Sequence, residues 1–494
     1  MAFGGLDIGT SGCKCTLFND KGKQLAVSYR AYETTRSMGR HEIDVFVIWQ
    51  AVKIVLTEAA AKAGEPADAI CVSSFGESCA FLDKNDKSVI PMMLYDDPRG
   101  DLEAQRLVQK LGGRDIYRIS GHRPGAMYTL PKMMWANEHL PGITARLDKV
   151  LPIASFVMYC LTGERVSDPS LASRTMMLDI EKLSWNPELL SEAGIKEQVM
   201  PRIGEIGEIA GTIKKSVAEE LRVPYSMKIV VGAHDQIVAA IGAGVISPSL
   251  AVNGSGSVES INPIFTKVAK PAILYKNNYA KVPMLKDRFI TYAFIFTGGV
   301  LLQWFRDNFT GAQKQLAESQ GQSIFTYLDA IGEQGPTGLL ALPHFSGAAT
   351  PYMDANAKGA LIGLTLEHGV GDIYKALQEG ICYESALNME LLAQSGIKIN
   401  NLRIVGGGAK SRRWNQMKSD IYGIPCTTLQ GEEAGAIGSA MLAGVAINKF
   451  DSLEQSVTEL IKEDETFLPR REYTERYVVY FERYKKLYKA IKKI

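Results

Sequence analysis

GLDIGTSGCKCTLF (Gly5 to Phe18) and LAVNGSGSVESI (Leu250 to Ile261) each set a Gly/Ser turn between two strand-like runs. The glycines let backbone N–H groups face one concave spot, an arrangement that holds phosphate oxygens without a dedicated side chain. Thr10, Ser11, Ser255 and Ser257 add hydroxyl donors, and Lys14 adds a charge. One such turn alone reads as an ordinary hairpin. Two of them, with Gly9 and Gly254 separated by 245 positions in a chain of 494, indicate related halves that clasp one nucleotide.

A chain of this length exceeds what a single core fills, so two large domains are expected, residues 1–246 and 247–494. Hydrophobic residues at 46% can fill both cores. Lys and Arg total 55 against 54 Asp and Glu, a net charge of +1, which argues against nucleic acid or an anionic membrane as partner. The seven cysteines are odd in number and include no Cys-x-x-Cys pair, which points to reduced thiols in a cytoplasmic protein. Asp7 interrupts the N-terminal apolar run, against a signal peptide. The longest apolar stretch, Tyr292 to Phe305, holds two glycines and falls short of a membrane span. A soluble protein is expected.

LDIG, CKCTLF and QLAVSYRAY form a meander with a turn at Asn19 to Gly22. A helical period then runs from Val45 to Ala63, followed by the apolar strand AICVSSF. Strands alternating with helices give an α/β class. KIVVGAHDQIVAAIGAGV reads as a buried strand, a polar turn and a helix entered at Gln236, which places His234 and Asp235 at a strand's carboxyl end, where ligands gather. In the second half FTGGVLLQWFRD is a Gly-Gly turn and a helix. RIVGGGAKSRRWNQMKSDIYGIPC is a strand, a triple-glycine turn at Gly406 to Gly408 where a nucleotide can approach the backbone, and another helix. Beyond Pro469 the tail YTERYVVYFERYKKLYKAIKKI carries tyrosines at helical spacing and is expected to pack back on the body.

Two hairpins, a triple glycine and a lone Asp after an apolar strand together resemble the FGGY family of carbohydrate kinases, within the actin, Hsp70 and hexokinase superfamily. MYTLPKMMW at Met127 to Trp135 resembles the family's first signature, and GALIGLTLEHGVGDIYKALQEG at Gly359 to Gly380 its second. YDDPR at Tyr95 to Arg99 is similar to its Trp-x-Asp-x-Arg segment with tyrosine in place of tryptophan, and LTGERVSDPSLAS at Leu161 to Ser173 resembles another recurrent stretch. The resemblance implies two ribonuclease H-like (actin-like ATPase) domains with an interdomain cleft. The first would bind the sugar and the second the nucleotide, with ATP and Mg2+ as cofactors, a sugar or polyol as acceptor, and a homodimer as a further expectation.

Phosphoryl transfer needs a positioned hydroxyl, a base for its proton, and cations and donors around the transferring group. By resemblance Asp235 is the base, with a helix N-cap as its alternative. Asp7 would hold magnesium through water. Thr10, Ser11, Lys14, Gly254, Ser255 and Ser257 would hold phosphate, Lys14 being readable also as a solvated strand lysine. Gly299, Gln303, Gly407, Gly408 and Asn415 would face phosphate, ribose and adenine. For the acceptor, Glu77, Asp97, Arg99, Asp235 and Gln236 suit an uncharged ketose or polyol, although Asp97 with Arg99 also reads as a structural ion pair. Glu77 aligns with the glutamate that holds substrate hydroxyls in glycerol kinases, but the arginine beside it there is Gly76 here. The Phe75-Gly76 and His234-Asp235 pairs are more similar to fuculose and rhamnulose kinases. A xylulose-like ketopentose is the default acceptor, with glycerol or another polyol as the second reading. The non-enzymatic alternative is a nucleotide-gated binding protein of the actin or Hsp70 kind, which would need neither Glu77 nor Asp235 at a common pocket.

Overall fold

The computed structural model describes residues 2–332, 334–431 and 433–493. Two compact units divide the chain: the first is Met1–Ile246, Ala280–Ile290 and Glu433–Ile461, and the second is Ser247–Tyr279, Thr291–Glu432 and Lys462–Ile494. One break falls at 246/247, and two later segments return to the first unit.

The sheet of the first unit runs, edge to edge, through Ile209–Thr212, Lys228–His234, Ala67–Ser74, Ala2–Ile8, Gly12–Asn19 and Gln24–Ala31. Lys228–His234, Ala67–Ser74 and Ala2–Ile8 are parallel, and the remaining strands are antiparallel to their neighbours. Ala67–Ser74 is buried at all but one position, as expected of a parallel strand with both faces covered. The helix Val45–Ala63 covers one face. Its buried residues Val45, Ile48, Val52, Val55, Leu56 and Ala59 recur at helical spacing. Asp44 caps its start by accepting from the Phe46 amide, and Gly64 ends it at φ 70, a left-handed turn that glycine tolerates.

The parallel register sets the site. Ile8 and His234 both pair with Ser74, and Asp7 pairs with Ser73. The segments carrying Asp7, Glu77 and Asp235 therefore leave one sheet at one edge, at the carboxyl ends of three neighbouring strands. Asp235 opens the helix Asp235–Gly242, which crosses Ala434–Ala446 at two glycines. A Cβ on Gly242 would overlap the Ala434 carbonyl, and one on Gly438 would overlap the Val238 carbonyl.

The second unit repeats the plan. Leu250–Ser255, Asn401–Val405 and Cys426–Leu429 are parallel, Glu259–Phe265 forms an antiparallel hairpin with the first of them, and Glu463–Phe467 is the antiparallel edge. Ala293–Ile295 extends the sheet beyond Glu259–Phe265. This order of meander, three parallel strands and antiparallel edge matches that of the first unit, so the two Gly/Ser turns occupy equivalent places in two copies of one topology. The tail helix Arg471–Tyr484 packs on its own unit through buried Tyr477 and Tyr484. All seven cysteines are free. Among the described residues no helix is long and apolar enough to cross a membrane.

Gly438→Ala should cost about 1–3 kcal/mol through overpacking at the helix crossing, read from urea unfolding. Gly435→Ala, one turn earlier with open space around it, should be neutral or slightly stabilising.

Candidate active site

In the first unit Asp235 is the first helical residue rather than the cap, which is His234. Its Oδ1 accepts from the Gln236 amide at 2.6 Å, so it also satisfies one donor of the helix start. The Gln236 side chain is exposed. Desolvation, reinforced by the charge of Asp7, pushes the Asp235 carboxyl up to about 7. Some 37% of the side chain stays open, which leaves it reachable and lets water screen part of that repulsion. His234 Nε2 lies 3.1 Å from Asp235 Oδ1, and burial holds this imidazole well below its ordinary value, hence neutral. The backbone at this corner is fixed by the His234 amide, which donates at 2.9 Å to Ser170 Oγ. Ser170 Oγ in turn donates to the buried Asp168 carboxylate, the N-cap of the helix Pro169–Ser173.

Glu77 follows Ala67–Ser74 in a left-handed conformation, φ 66, with its carbonyl accepting from Thr129 Oγ1 at 2.9 Å. Its carboxylate is paired with Arg174, whose Nη1 donates to Oε1. Nothing near Glu77 in the sequence announces that arginine. Asp97 departs from expectation. It is 1% exposed, and its two oxygens accept from the His41 amide at 2.7 Å, the Arg99 amide at 3.0 Å, Arg99 Nε at 2.8 Å and Arg99 Nη2 at 2.6 Å. Arg99 also pairs with Glu42 and lies 5.0 Å above the Trp135 ring. With its acceptors filled from within, Asp97 with Arg99 is the structural ion pair and leaves no oxygen for a substrate hydroxyl.

At the first hairpin, Asp7 stands directly across from Lys14 in the strand pairing. Desolvation raises its carboxyl, opposed by Lys14 and by the Ser73 hydroxyl 3.3 Å away. The Gly9 amide closes the turn on the Gly12 carbonyl at 2.9 Å, leaving Thr10 half-buried and Ser11 exposed at the tip. Lys14 is more than a solvated strand lysine, because its Nζ is 2.9 Å from Glu433 Oε2 within the same unit.

The second hairpin is held from beneath. Lys418 and Glu259, both with 0% side-chain exposure, are 2.7 Å apart. Lys418 Nζ also donates to Asn253 Oδ1 and Ser255 Oγ at 2.9 Å each, and Ser255 Oγ donates to Glu259 Oε2 at 2.9 Å. Ser255 is thus committed to the support of the turn, contrary to the expectation that its hydroxyl binds phosphate. Gly254 is half-buried in the strand, and Ser257 remains exposed at the tip. Glycines let the neighbouring turns close in: a Cβ on Gly408 would overlap Ser255 Oγ, one on Gly299 would overlap the Gly256 carbonyl, and Gly406 takes φ 92.

These turns border a cavity of about 670 Å3 within the second unit, lined by Ser255, Ser257, Gly299, Gln303, Gly407 and Gly408. Phe325, Asp329, Tyr374, Ser411, Arg413 and Trp414 are also in its wall, and nothing in the sequence marks them as site residues. Asp329 accepts from Ser411 Oγ at 2.6 Å and from Gln378 Nε2 at 3.1 Å. Asn415 is absent from this wall. It is 0% exposed, with its amide donating to the Ala409 carbonyl at 2.7 Å, so it holds the glycine turn from inside the helix and does not reach a base edge. A cavity of this volume, part apolar and aromatic, with glycine turns at one end, suits a nucleoside carrying phosphates.

The family models decide what these two sites belong to. Residues 2–242 match the FGGY carbohydrate kinase N-terminal domain, and residues 266–447 match the C-terminal domain. The chain belongs to the FGGY family of carbohydrate kinases. It is a phosphotransferase, and ATP is the substrate that the family implies. The kinase is 27% identical to the xylulose kinase of Bacillus subtilis (strain 168) over 98% of this chain and 96% of that one. It is equally 27% identical to the autoinducer-2 kinase of Salmonella typhimurium, over 94% and 90%. Its fold is shared by the ligand-bound xylulose kinase of Lactobacillus acidophilus, with TM-score 0.89, 24% identity and coverage of 99% and 98%. Plasmodium falciparum glycerol kinase with ADP matches at TM-score 0.84 and 20% identity, covering 98% of each chain. The two domains are accordingly actin-like ATPase domains, and the non-enzymatic alternative is set aside.

Lys418→Met should destabilise the kinase by about 3–5 kcal/mol, because it strands the Glu259 carboxylate in a dry interior. Lys418→Met/Glu259→Gln should recover part of that loss in the same denaturation measurement.

Proposed function

We propose that this kinase transfers the γ-phosphoryl group of ATP to a hydroxyl of an uncharged ketose or polyol, with a xylulose-like ketopentose as the leading acceptor and Asp235 as general base. The observation that carries the reading is the Asp235 carboxyl itself: open at a parallel strand end, raised to about 7, and gathered with Glu77 on the same sheet edge. A base with a pKa near the working pH combines an adequate ionised fraction with a strong pull on the proton. As the acceptor oxygen bonds to phosphorus, its proton passes to Asp235, and the bond from phosphorus to the leaving oxygen breaks to release ADP. Glu77 accepts hydroxyls of the acceptor. The neutral His234 beside the base adds no competing charge.

The cavity of the second unit takes the nucleoside, with the Gly256, Gly299 and Gly406–Gly408 turns presenting backbone to its phosphates. Ser257, exposed at the hairpin tip and part of the cavity wall, adds a hydroxyl donor. Asp7 fits a magnesium ion. Its carboxylate sits dehydrated at a strand end near a second carboxylate, and Mg2+ is commonly held by one or two carboxylates with the substrate's own phosphates and water completing the shell. Bound there, the ion would neutralise charge on the transferring group.

Sugar-dependent ADP release, assayed over D-xylulose, L-fuculose, L-rhamnulose, glycerol and autoinducer-2, tests the acceptor class. No stimulation by any of the five would count against an acceptor of this class. Asp235→Asn should lower phosphorylation by about 10² to 10⁴ while ATP still binds, since an amide takes no proton. Near wild-type turnover would remove Asp235 from the chemistry. Wild-type kcat/KM should fall as pH drops through about 7.

The same shift has a stability consequence. Asp235 stays protonated in the fold up to about 7 but ionises in the unfolded chain from its ordinary 3.8, so folding stability declines as pH rises between those values. Asp235→Asn escapes the decline. Melting temperatures of variant and wild type should coincide near the acid end of that window and separate in the variant's favour above it.

A further inference from the structure

Gly76 has space for no side chain, and the reason is an arginine. A Cβ at Gly76 would overlap Arg174 Cδ and press on His234 Cδ2 at 3.2 Å. Arg174 crosses the bare face of Gly76 and donates to Glu77, the next residue. Both charged side chains are deeply buried, 10% and 8% exposed. Arg174 itself is the C-cap of the helix Pro169–Ser173, the element whose Ser170 hydroxyl holds the His234 amide next to Asp235. One five-residue helix therefore fixes both the guanidinium on Glu77 and the backbone of the candidate base.

We propose that Arg174 is the positioning residue of the acceptor site: seated over Gly76, it orients the Glu77 carboxylate for acceptor hydroxyls and so sets which hydroxyl arrangement the kinase accepts. A carboxylate has acceptor sites for about four donors. Arg174 occupies Oε1, which restricts rotation of the group and leaves the other oxygen's lone pairs to acceptor hydroxyls. Without the guanidinium, Glu77 would be a buried charge free to rotate, and hydroxyls would have to order it at their own cost. Gly76 belongs to the device because any side chain there evicts the arginine. This rests on Glu77 lying in the acceptor site.

The probe is whichever of the five acceptors above gives the highest ADP release, read as KM; if none is turned over, Kd by calorimetry with D-xylulose replaces it. Gly76→Ala and Arg174→Met should each raise acceptor KM about 10-fold or more, the scale of a lost charge-assisted hydrogen bond, with ATP KM within about twofold. Arg174→Lys should recover part of the loss. Gly76→Ala/Arg174→Met should be no worse than Arg174→Met, because the glycine acts through the arginine. A purely structural arginine would lower the melting temperature without separating the two KM values. Glu77→Gln divides the failures. If it leaves acceptor KM unchanged, the acceptor-site reading has failed. If it raises acceptor KM while folded Gly76→Ala and Arg174→Lys do not, or if the double variant is additive, Arg174 has no positioning role.

Discussion

Parallel strand register is the constraint on which the first unit's chemistry depends. Because Ile8, Ser74 and His234 sit level across three neighbouring strands, the chain segments that follow must leave the sheet together, and Asp7, Glu77 and Asp235 are brought to one edge. Grouping three carboxylates is unfavourable unless each has its own compensation. Glu77 has Arg174, Asp7 has Lys14 and the Ser73 hydroxyl, and Asp235 has the Gln236 amide of its helix start with the charge of Arg174 as a lesser help. At Asp235 desolvation outweighs that help and raises the carboxyl to about 7. On the function proposed above, this uneven distribution of counter-charges is what separates the base from the two carboxylates that bind.

The second unit solves a different problem with the same strand order. A turn that presents backbone to phosphate must be rigid, and its glycines supply no side chains to make it so. Rigidity comes from below, through Lys418, Glu259, Asn253 and the Ser255 hydroxyl, whose hydrogen bonds are made in a dry interior. Such a cluster adds little net stability, since dehydrating both charges offsets most of their attraction. Its contribution is geometric: the hydroxyl of Ser255 anchors the turn that leaves Ser257 at the tip.

What the sequence reveals divides along this line. Local periodicity places the helix at Val45 to Ala63, and the structure has it at the same residues, because caps at Asp44 and Gly64 agree with the apolar spacing. Strand ends at Asp7, Glu77 and Asp235 are equally legible, since each follows an apolar run. Side-chain partners are not. Arg174 and Glu77 lie 97 positions apart and Lys418 and Glu259 159 apart, distances over which no spacing rule operates. Asp97 has an acidic pattern suited to hydroxyls, yet its acceptors are consumed by the His41 amide and by Arg99. Asn415 fails because its amide is spent on the Ala409 carbonyl inside the fold, a backbone partner that no spacing in the sequence announces.

The repeat explains how one topology supports both halves of a transfer reaction. In each copy the turn after the first parallel strand is a Gly/Ser hairpin, but the segment after the next parallel strand differs. In the first unit it carries Phe75, Gly76 and Glu77, and in the second Gly406, Gly407 and Gly408. On the proposed reading, side chains at that point make a site that reads hydroxyls, and their removal makes one that admits the bulk of a nucleotide against bare backbone. Gly76 is the intermediate case, a glycine within the side-chain version, and its missing Cβ is filled from the same unit by Arg174. What differs between the two strand ends is thus what occupies the space beside their glycines, a guanidinium in one unit and an open cavity in the other, and the proposed division into acceptor and nucleotide sites follows that difference.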